Sequence, residues 1–546
     1  MTGFVPLIAP SPSGSPAAAT ASVAAAPAPQ DRTSRAAKSA AVALIQACAS
    51  VALGLVSVPI LVQALGQEAY GVWLLLGQIA AYLALVDFGN ASVAKLQLAS
   101  LHGPESAAKQ RDVLTATLLG VLVTTPFVAA VGVAVAMLAT MRFADGAISS
   151  ASITATSGLL VASFLVYRLA SIPAFVLFGA NLEYRSALVR TLVTIGSAVL
   201  DLAVALAGLG MVGLACNRLV GHLLSGCILQ ITAQRDVPWY GIGPFHWSKL
   251  GPLFRQNSLC LFAQWGHTLA EAVDVLVIGL AVGPEAVPIY TITTSLPRLL
   301  FALFHQAMAG ANAGLVGLFG SGNRERFHFV RTQQETISIA CLAVVGAATL
   351  AVNREFVTAW VGSHYFGGVV LTMLGITWFF SAMMSRQYCN ALNATLDFKH
   401  MAVVQVTAGV ISVAAGFAGA SIGGTVGAVA GLVVVRVAAN AVNATRLDHL
   451  LGVPPWRHRS ALLVPSIVAA ACCFGGGAVS CAGLSRGWVG TVAVGAGVSL
   501  VASCAVWFLG MPQSSRADVA ARLGNLRDSF VARTRSAAMR QGVRSS

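Results

Sequence analysis

Two arginines, Arg168 and Arg298, stand in the middle of long apolar runs with no acidic residue close to either in sequence. A charge at mid-bilayer costs about 2.5–3.5 kcal/mol even on lenient insertion scales, so such a side chain faces a wet cavity or a partner. A guanidinium without a local acid suits a pyrophosphate, whose oxygens match its planar donor fork. The alternative is an ion pair with a carboxylate on a neighbouring helix. Thr291 and Thr294 lie on the face that carries Arg298. Gln264, His267, Glu271 and Asp274 follow at steps of three, four and three, which places them on one helix face, and Asn257 extends the same polar stripe. Polar residues in this register within lipid imply water. Glu271, Asp274 and His267 suit a coupling ion, Na+ or H+. They equally suit a pairing with Arg298 or a role in holding helices together. Trp265 and Tyr82 offer rings for stacking on a sugar or for packing. Arg218 and Arg436 are further basic candidates, for substrate or for equivalent packing in two halves of the chain, and Arg386 joins them. Asp87 and Asp201 fall near helix ends, where water is close.

Other chemistry is absent from the sequence. Asp87-Phe88-Gly89 spells a kinase metal motif without the accompanying glycine-rich and catalytic loops. No G-x-x-x-x-G-K-[ST] phosphate loop occurs. The ten cysteines fall in apolar segments without CxxC spacing and read as small buried residues, so neither a metal nor a catalytic set is expected.

The elements that position these residues follow from composition. Of 546 residues, 57% are hydrophobic and 10% charged, with mean hydropathy +0.78. Soluble domains carry about 25% charge, so the chain reads as an integral membrane protein. Fourteen apolar segments long enough to span are marked near 40–62, 70–92, 113–139, 155–179, 187–208, 211–231, 254–281, 284–309, 335–353, 367–390, 400–420, 423–443, 460–482 and 487–509, here spans 1 to 14. Basic residues alternate with them. Odd-numbered loops hold Arg142, Arg354 and Arg486, whereas even-numbered loops and the C-terminus hold most of the rest, which predicts both termini in the cytoplasm. The net charge of +14 then reflects topology and anionic lipid, with no nucleic-acid partner. An Ala/Pro-rich cytoplasmic tail is expected to be disordered over 1–38. The remaining boundaries are an N-lobe over 39–232, a linker over 233–253, a C-lobe over 254–445, spans 13 and 14 over 446–510, and a basic tail over 511–546. In that tail Val519, Leu523, Leu526 and Phe530 share a helix face, so it is either an amphipathic helix on anionic lipid or disordered.

The chain also repeats itself. Gly66-Gln67-Glu68-Ala69-Tyr70-Gly71-Val72-Trp73 is echoed by Gly283-Pro284-Glu285-Ala286-Val287-Pro288-Ile289-Tyr290, at an offset of 217. Ala180 to Arg185 is echoed by Ala394 to Lys399 at 214, and Gly213 and Arg218 by Gly431 and Arg436 at 218. Each unit has six spans, an even number, so both units enter the membrane in the same direction. The expected fold is an all-α polytopic membrane protein of about fourteen transmembrane helices. Two parallel six-helix lobes, related by a pseudo-two-fold along the membrane normal, would enclose a central cavity, with two extra C-terminal helices outside the repeat. Such lobes support alternating access, which points to a transporter rather than an enzyme.

Gly66 to Trp73, followed by Tyr82-Leu83-Ala84-Leu85-Val86-Asp87-Phe88-Gly89, resembles the N-terminal signature of bacterial polysaccharide repeat-unit flippases, the O-antigen and capsule flippases of the multidrug/oligosaccharidyl-lipid/polysaccharide exporter superfamily. Residues 173–184, ending Phe178-Gly179-Ala180-Asn181-Leu182-Glu183-Tyr184, resemble it too. The long Ala/Pro tail departs from the family, and the extra helix pair occurs in only some members. The resemblance implies movement of an undecaprenyl-pyrophosphate-linked oligosaccharide from the inner to the outer leaflet of the plasma membrane. Polysaccharide polymerase and glycosyltransferase partners are implied with it. Three other readings remain: a lipid II flippase, a cation-coupled multidrug antiporter, which would want an acid-rich interior, and a polymerase or glycosyltransferase, which would want a large outer loop.

Overall fold

The structure is a computed structural model and describes residues 29–86, 98, 101, 106–143, 148–180, 182–244, 266, 273–320, 323–395, 397–483, 487–512 and 516. The described residues form helices and short connections, with no strand among them. Span 1 is Pro29–Leu65, span 2 Gln67–Val86 and span 3 Ala107–Phe143. Span 4 is Ser150–Ala170 continued by Ile172–Gly179, span 5 Glu183–Leu206 and span 6 Gly210–Asp236. Span 7 is described as helix from 273, span 8 is Ala286–Thr293 with Ser295–Gly320, span 9 Arg324–Trp360 and span 10 Val369–Ala394. Phe398–Leu451 holds spans 11 and 12, Pro455–Cys481 is span 13, and Gly487–Ala505, running on to Gly510, is span 14.

Ten of these helices are long and apolar enough to cross a membrane, and an eleventh is the bent pair of span 8. Several overrun the apolar stretches. Span 1 is helical from Pro29, inside the segment expected to be a tail, and span 9 begins eleven residues before its apolar run, at Arg324. The two expected spans 11 and 12 are two helical arms within Phe398–Leu451, parted by non-helical backbone at Gly423 and Gly424, where the chain reverses. Gly424 has φ 55°, a conformation that glycine adopts without strain. Beyond that turn the two arms pack backbone to backbone at Gly419 and Gly427.

Helix neighbours recur in the two halves. Span 4 packs on spans 3 and 6, and span 2 on span 4; span 10 packs on span 9 and on the 398–451 hairpin, and span 8 on span 10. Span 1 packs on span 5, and span 7 reaches span 11 through Gly266 against Gln405 and Val277 against Gly416. This is the arrangement expected of two copies of one unit.

The halves meet at the end marked by loops 1, 7 and 9. Gln67 Nε2 donates to the Glu285 carbonyl at 3.0 Å, and Trp360 Nε1 to the Leu55 carbonyl at 2.7 Å. Arg142 reaches the Leu280 carbonyl at 3.3 Å. One buried apolar cluster crosses this seam, joining Val72, Trp73, Leu75 and Leu76 to Val275, Val277, Ile278, Val287 and Tyr290. The two repeated turns therefore face one another. Spans 13 and 14 both lie against span 9, outside the repeat.

A membrane-buried arginine cluster and a polar cavity

Span 8 bends by 48° between Thr293 and Ser295. Pro297 has no N–H for the carbonyl four residues back, and Asn353 Nδ2 donates to that Thr293 carbonyl at 2.9 Å instead. Thr294, at the bend, is fully buried and turns its hydroxyl back to the Tyr290 carbonyl at 2.7 Å. Thr291 is half-buried and does the same toward Val287 at 2.9 Å. Both hydroxyls keep an accepting lone pair. Arg298 begins the next turn. Its Cζ lies 5.0 Å from the centre of the Phe379 ring, and its Nε is buried without a hydrogen-bond partner.

Two more arginines are held in the same manner. Arg436 of span 12, 5% exposed, lies 3.6 Å over Trp378 of span 10. Arg218 of span 6 lies 4.9 Å over Trp73 of span 2. Stacking engages the face of a guanidinium and leaves its N–H edge in plane for an oxyanion. The repeat-matched pair Arg218 and Arg436 thus each lie over an indole, although Arg218 is exposed and Arg436 is buried. Among the described residues no carboxylate stands at ion-pair distance from Arg218 or Arg298.

Asp274 is 5% exposed and accepts a hydrogen bond from the Tyr290 hydroxyl at 2.6 Å. Tyr82 lies within electrostatic reach of Asp274, and Arg298 and Arg436 within reach of Tyr290. One acid, two tyrosines and two arginines thus gather where spans 2, 7, 8 and 12 approach.

Arg168 sits elsewhere. It is 2% exposed between spans 3 and 4, donating to Thr124 Oγ1 at 2.6 Å and to Thr125 Oγ1 at 3.1 Å. Those hydroxyls in turn donate to the Gly120 and Val121 carbonyls. Arg168 and Arg298 therefore do not converge. Arg386 is half-buried and interacts with a neighbouring group. Asn257, Gln264, Trp265, His267, Glu271 and Asp87 lie outside the described residues, as do the tail over 1–28 and the amphipathic pattern after Arg516.

A cavity of about 500 Å³ opens inside the first half, between spans 1, 4, 5 and 6. Gln46, Tyr167, Arg190, Asp201, Arg218 and His222 line it. Asp201 Oδ1 accepts from Asn217 Nδ2 at 2.7 Å, and the His222 ring leans on Tyr167 with centroids 5.1 Å apart. The result is a polar pocket with two guanidiniums, one carboxylate and several hydroxyls. Sequence reading missed Arg190 and His222 as its lining; a helix wheel of spans 5 and 6 that put them with Asp201 and Arg218 was the available signal.

The sequence matches the family described as "Polysaccharide biosynthesis protein" over residues 76–365. No curated protein matches it. Among solved structures, the chain is similar to the lipid II flippase MurJ in an inward closed conformation (TM-score 0.62, 12% identity, 85% of this chain and 99% of that one). It is similar to a multidrug resistance MATE family transporter of the MOP superfamily in an inward-facing conformation (TM-score 0.61, 15% identity, 73% and 94%). A third is a MOP superfamily transporter from Pyrococcus furiosus (TM-score 0.54, 14% identity, 77% and 96%). At these identities the likeness is one of fold.

Proposed function

This chain belongs to the polysaccharide biosynthesis protein family, and on that footing we propose that it is an alternating-access flippase for a polyprenyl-pyrophosphate-linked oligosaccharide. The observation that carries the reading is the set of arginines within the spans, Arg218 exposed at the cavity, Arg298 half-buried and Arg436 buried, that lie over Trp73, Phe379 and Trp378. Their faces are shielded by rings, and their edges suit the oxygens of a pyrophosphate. Thr291 and Thr294 lie beside Arg298, and the hydroxyls and Tyr167 of the cavity are of the kind that receive sugars. Gln264 and Trp265 extend the same reading along span 7. Arg168 positions spans 3 and 4 through Thr124 and Thr125.

In this reading the polar head enters from the cytoplasmic side while the polyprenyl tail stays in lipid. The lobes are closed at the loop 1 and loop 7 end, which basic-residue asymmetry makes the outer one. Rocking of the lobes would open that end and move the head from inner to outer leaflet of the plasma membrane. Asp274, with Glu271 and His267, is the proposed coupling site for Na+ or H+. Polysaccharide polymerase and glycosyltransferase partners, and anionic lipid at the basic tail, complete the proposal. A multidrug antiporter fits less well, since Arg298 and Arg436 beside Asp274 give a potential that repels organic cations.

Binding tests this directly. In detergent micelles, polyprenyl pyrophosphate should bind at least about tenfold more tightly to the unmodified protein than to Arg298→Ala, a loss of about 1.4 kcal/mol. Polyprenol without phosphate should show no such difference. Equal binding of polyprenyl pyrophosphate and polyprenol would remove the phosphate assignment.

A further inference from the structure

Four ionisable side chains from three spans converge at the end of the second lobe opposite the repeated turns. Arg331 Nε donates to Glu335 Oε1 at 2.9 Å, and Arg331 Nη1 to Asp448 Oδ1 at 2.8 Å. His458 Nε2 lies 2.7 Å from Glu335 Oε2. Arg331 comes from span 9 with Glu335, Asp448 from span 12, and His458 from the first turn of span 13. All four are at most 3% exposed. None belongs to the arginine and aspartate cluster described above, and among the described residues no metal-binding group of acids, histidines and cysteines occurs.

Arg331 contributes one positive charge and the two carboxylates two negative ones, so neutrality requires one added proton, and the imidazole is by type the strongest base present to take it. Hydrogen bonding selects the same state. With His458 Nε2 bare, Glu335 Oε2 is a buried oxygen without a hydrogen bond; with a proton there, the 2.7 Å contact is charge-assisted. The other ring nitrogen, Nδ1, is 3.5 Å from Thr332 Oγ1. That hydroxyl already donates to the His328 carbonyl at 3.0 Å, so it faces His458 as an acceptor. Nδ1 therefore meets an acceptor, and Nε2 meets both the Glu335 acceptor and the Nη2 donor of Arg331, so the imidazolium serves Glu335 and Thr332 together whereas either neutral tautomer leaves one of them without a proton. The remaining groups facing this ring are His328, whose ring centroid is 5.5 Å away, and the Nη2 of Arg331 at 3.3 Å. Tyr388 of span 10 lies beyond, with Arg331 Cζ 5.9 Å from its ring centre.

We propose that His458 is a buried proton-binding site whose occupancy latches the start of span 13 onto spans 9 and 12. Losing one proton leaves one uncompensated negative charge among buried groups and reduces the link to Glu335 from a charge-assisted bond to a neutral one at best. Span 13 is then held less firmly at this end. Spans 13 and 14 otherwise pack mainly on span 9 and on one another, so the latch sets how firmly this extra pair is seated. The inference does not depend on what the protein transports.

The test uses the full chain in lipid nanodiscs, with the thermal unfolding midpoint and the hydrogen exchange of residues 455–470 followed from pH 5.5 to 8.5. The unmodified protein should lose several degrees of midpoint, and protection of 455–470, as pH rises across that interval. His458→Gln should show no pH step in either readout. His328→Gln should keep the step. Thr332→Val retains all four ionisable groups and removes the acceptor facing Nδ1, so it should move the step to lower pH. A step that survives in His458→Gln, or is absent from the unmodified protein, overturns the proposal; so does a step that stays in place in Thr332→Val.

Discussion

Gly71 of span 2 packs against Pro284 so closely that a Cβ on the glycine would collide with the proline's backbone carbonyl. The two residues belong to the two copies of the repeated turn, so the chain closes one end of its central seam by pressing the copies together at a position where no side chain fits. The neighbouring Gln67 to Glu285 hydrogen bond fixes the register of that contact.

A side chain at Gly71 should therefore pry this end open. Gly71→Val is expected to raise labelling of a cysteine introduced at Val287, fully buried at this seam, by an impermeant maleimide by about tenfold, a shift of about 1.4 kcal/mol in the conformational balance. Unchanged labelling would mean that the seam does not depend on this contact.

Arg298 should tolerate lysine poorly. Lysine keeps the charge, but it loses both the stacked plane over Phe379 and the donor fork. Arg298→Lys should fall between the unmodified protein and Arg298→Ala in affinity for polyprenyl pyrophosphate, closer to alanine. Equal affinity for lysine and arginine would show that charge alone matters.

Trp378 is 1% exposed beneath Arg436. Trp378→Ala should cost about 3–5 kcal/mol of stability through the cavity it leaves. Trp378→Phe keeps a smaller ring face for the guanidinium and should recover part of the loss. Thermal unfolding of the two variants side by side is the check.

The lobes carry matching ion pairs of opposite polarity at the even-loop end. Arg185, after span 4, pairs with Asp236 at the end of span 6, whereas Asp397, after span 10, pairs with Arg446 of span 12 at 2.8 Å. Exchanging the second pair, Asp397→Arg with Arg446→Asp, should restore most of what either single change removes, about 1 kcal/mol or less for so exposed a pair. Burial pushes the Asp397 carboxyl up, but the Arg446 hydrogen bond, the His400 backbone N–H and the nearby positive charges outweigh it and hold it below the ordinary aspartate range. Its contribution is therefore complete above that range and lost as the pH falls through the lowered value, below about pH 4. Asp397→Asn should flatten the acid limb of a stability profile by that small amount.

The spans and the duplication were legible because both are written in local chemistry: apolar runs of fixed length, and turns whose residues recur at nearly constant spacing. The site was legible only in part. Arg298, Arg218 and Arg436 stand out as charges in apolar runs, but their rings, Phe379, Trp73 and Trp378, are ordinary span residues until the helices pack. Arg168 reads like Arg298 in sequence, yet its partners are Thr124 and Thr125, which look like filler in an apolar run. Arg331, Glu335, Asp448 and His458 each read as interfacial charges flanking a span. Their meeting depends on span 9 extending well beyond its apolar stretch and on span 13 docking against it, and no local pattern encodes either.

Transport tests most directly the proposed role of Arg298 and Arg218 in moving a phosphorylated lipid head across the membrane. In proteoliposomes loaded with a labelled polyprenyl-pyrophosphate oligosaccharide, the rate at which label becomes accessible in the opposite leaflet should exceed that of protein-free liposomes and fall at least about tenfold in Arg298→Ala with Arg218→Ala, equivalent to about 1.4 kcal/mol. A double variant that moves the label as fast as the unmodified protein would contradict the account.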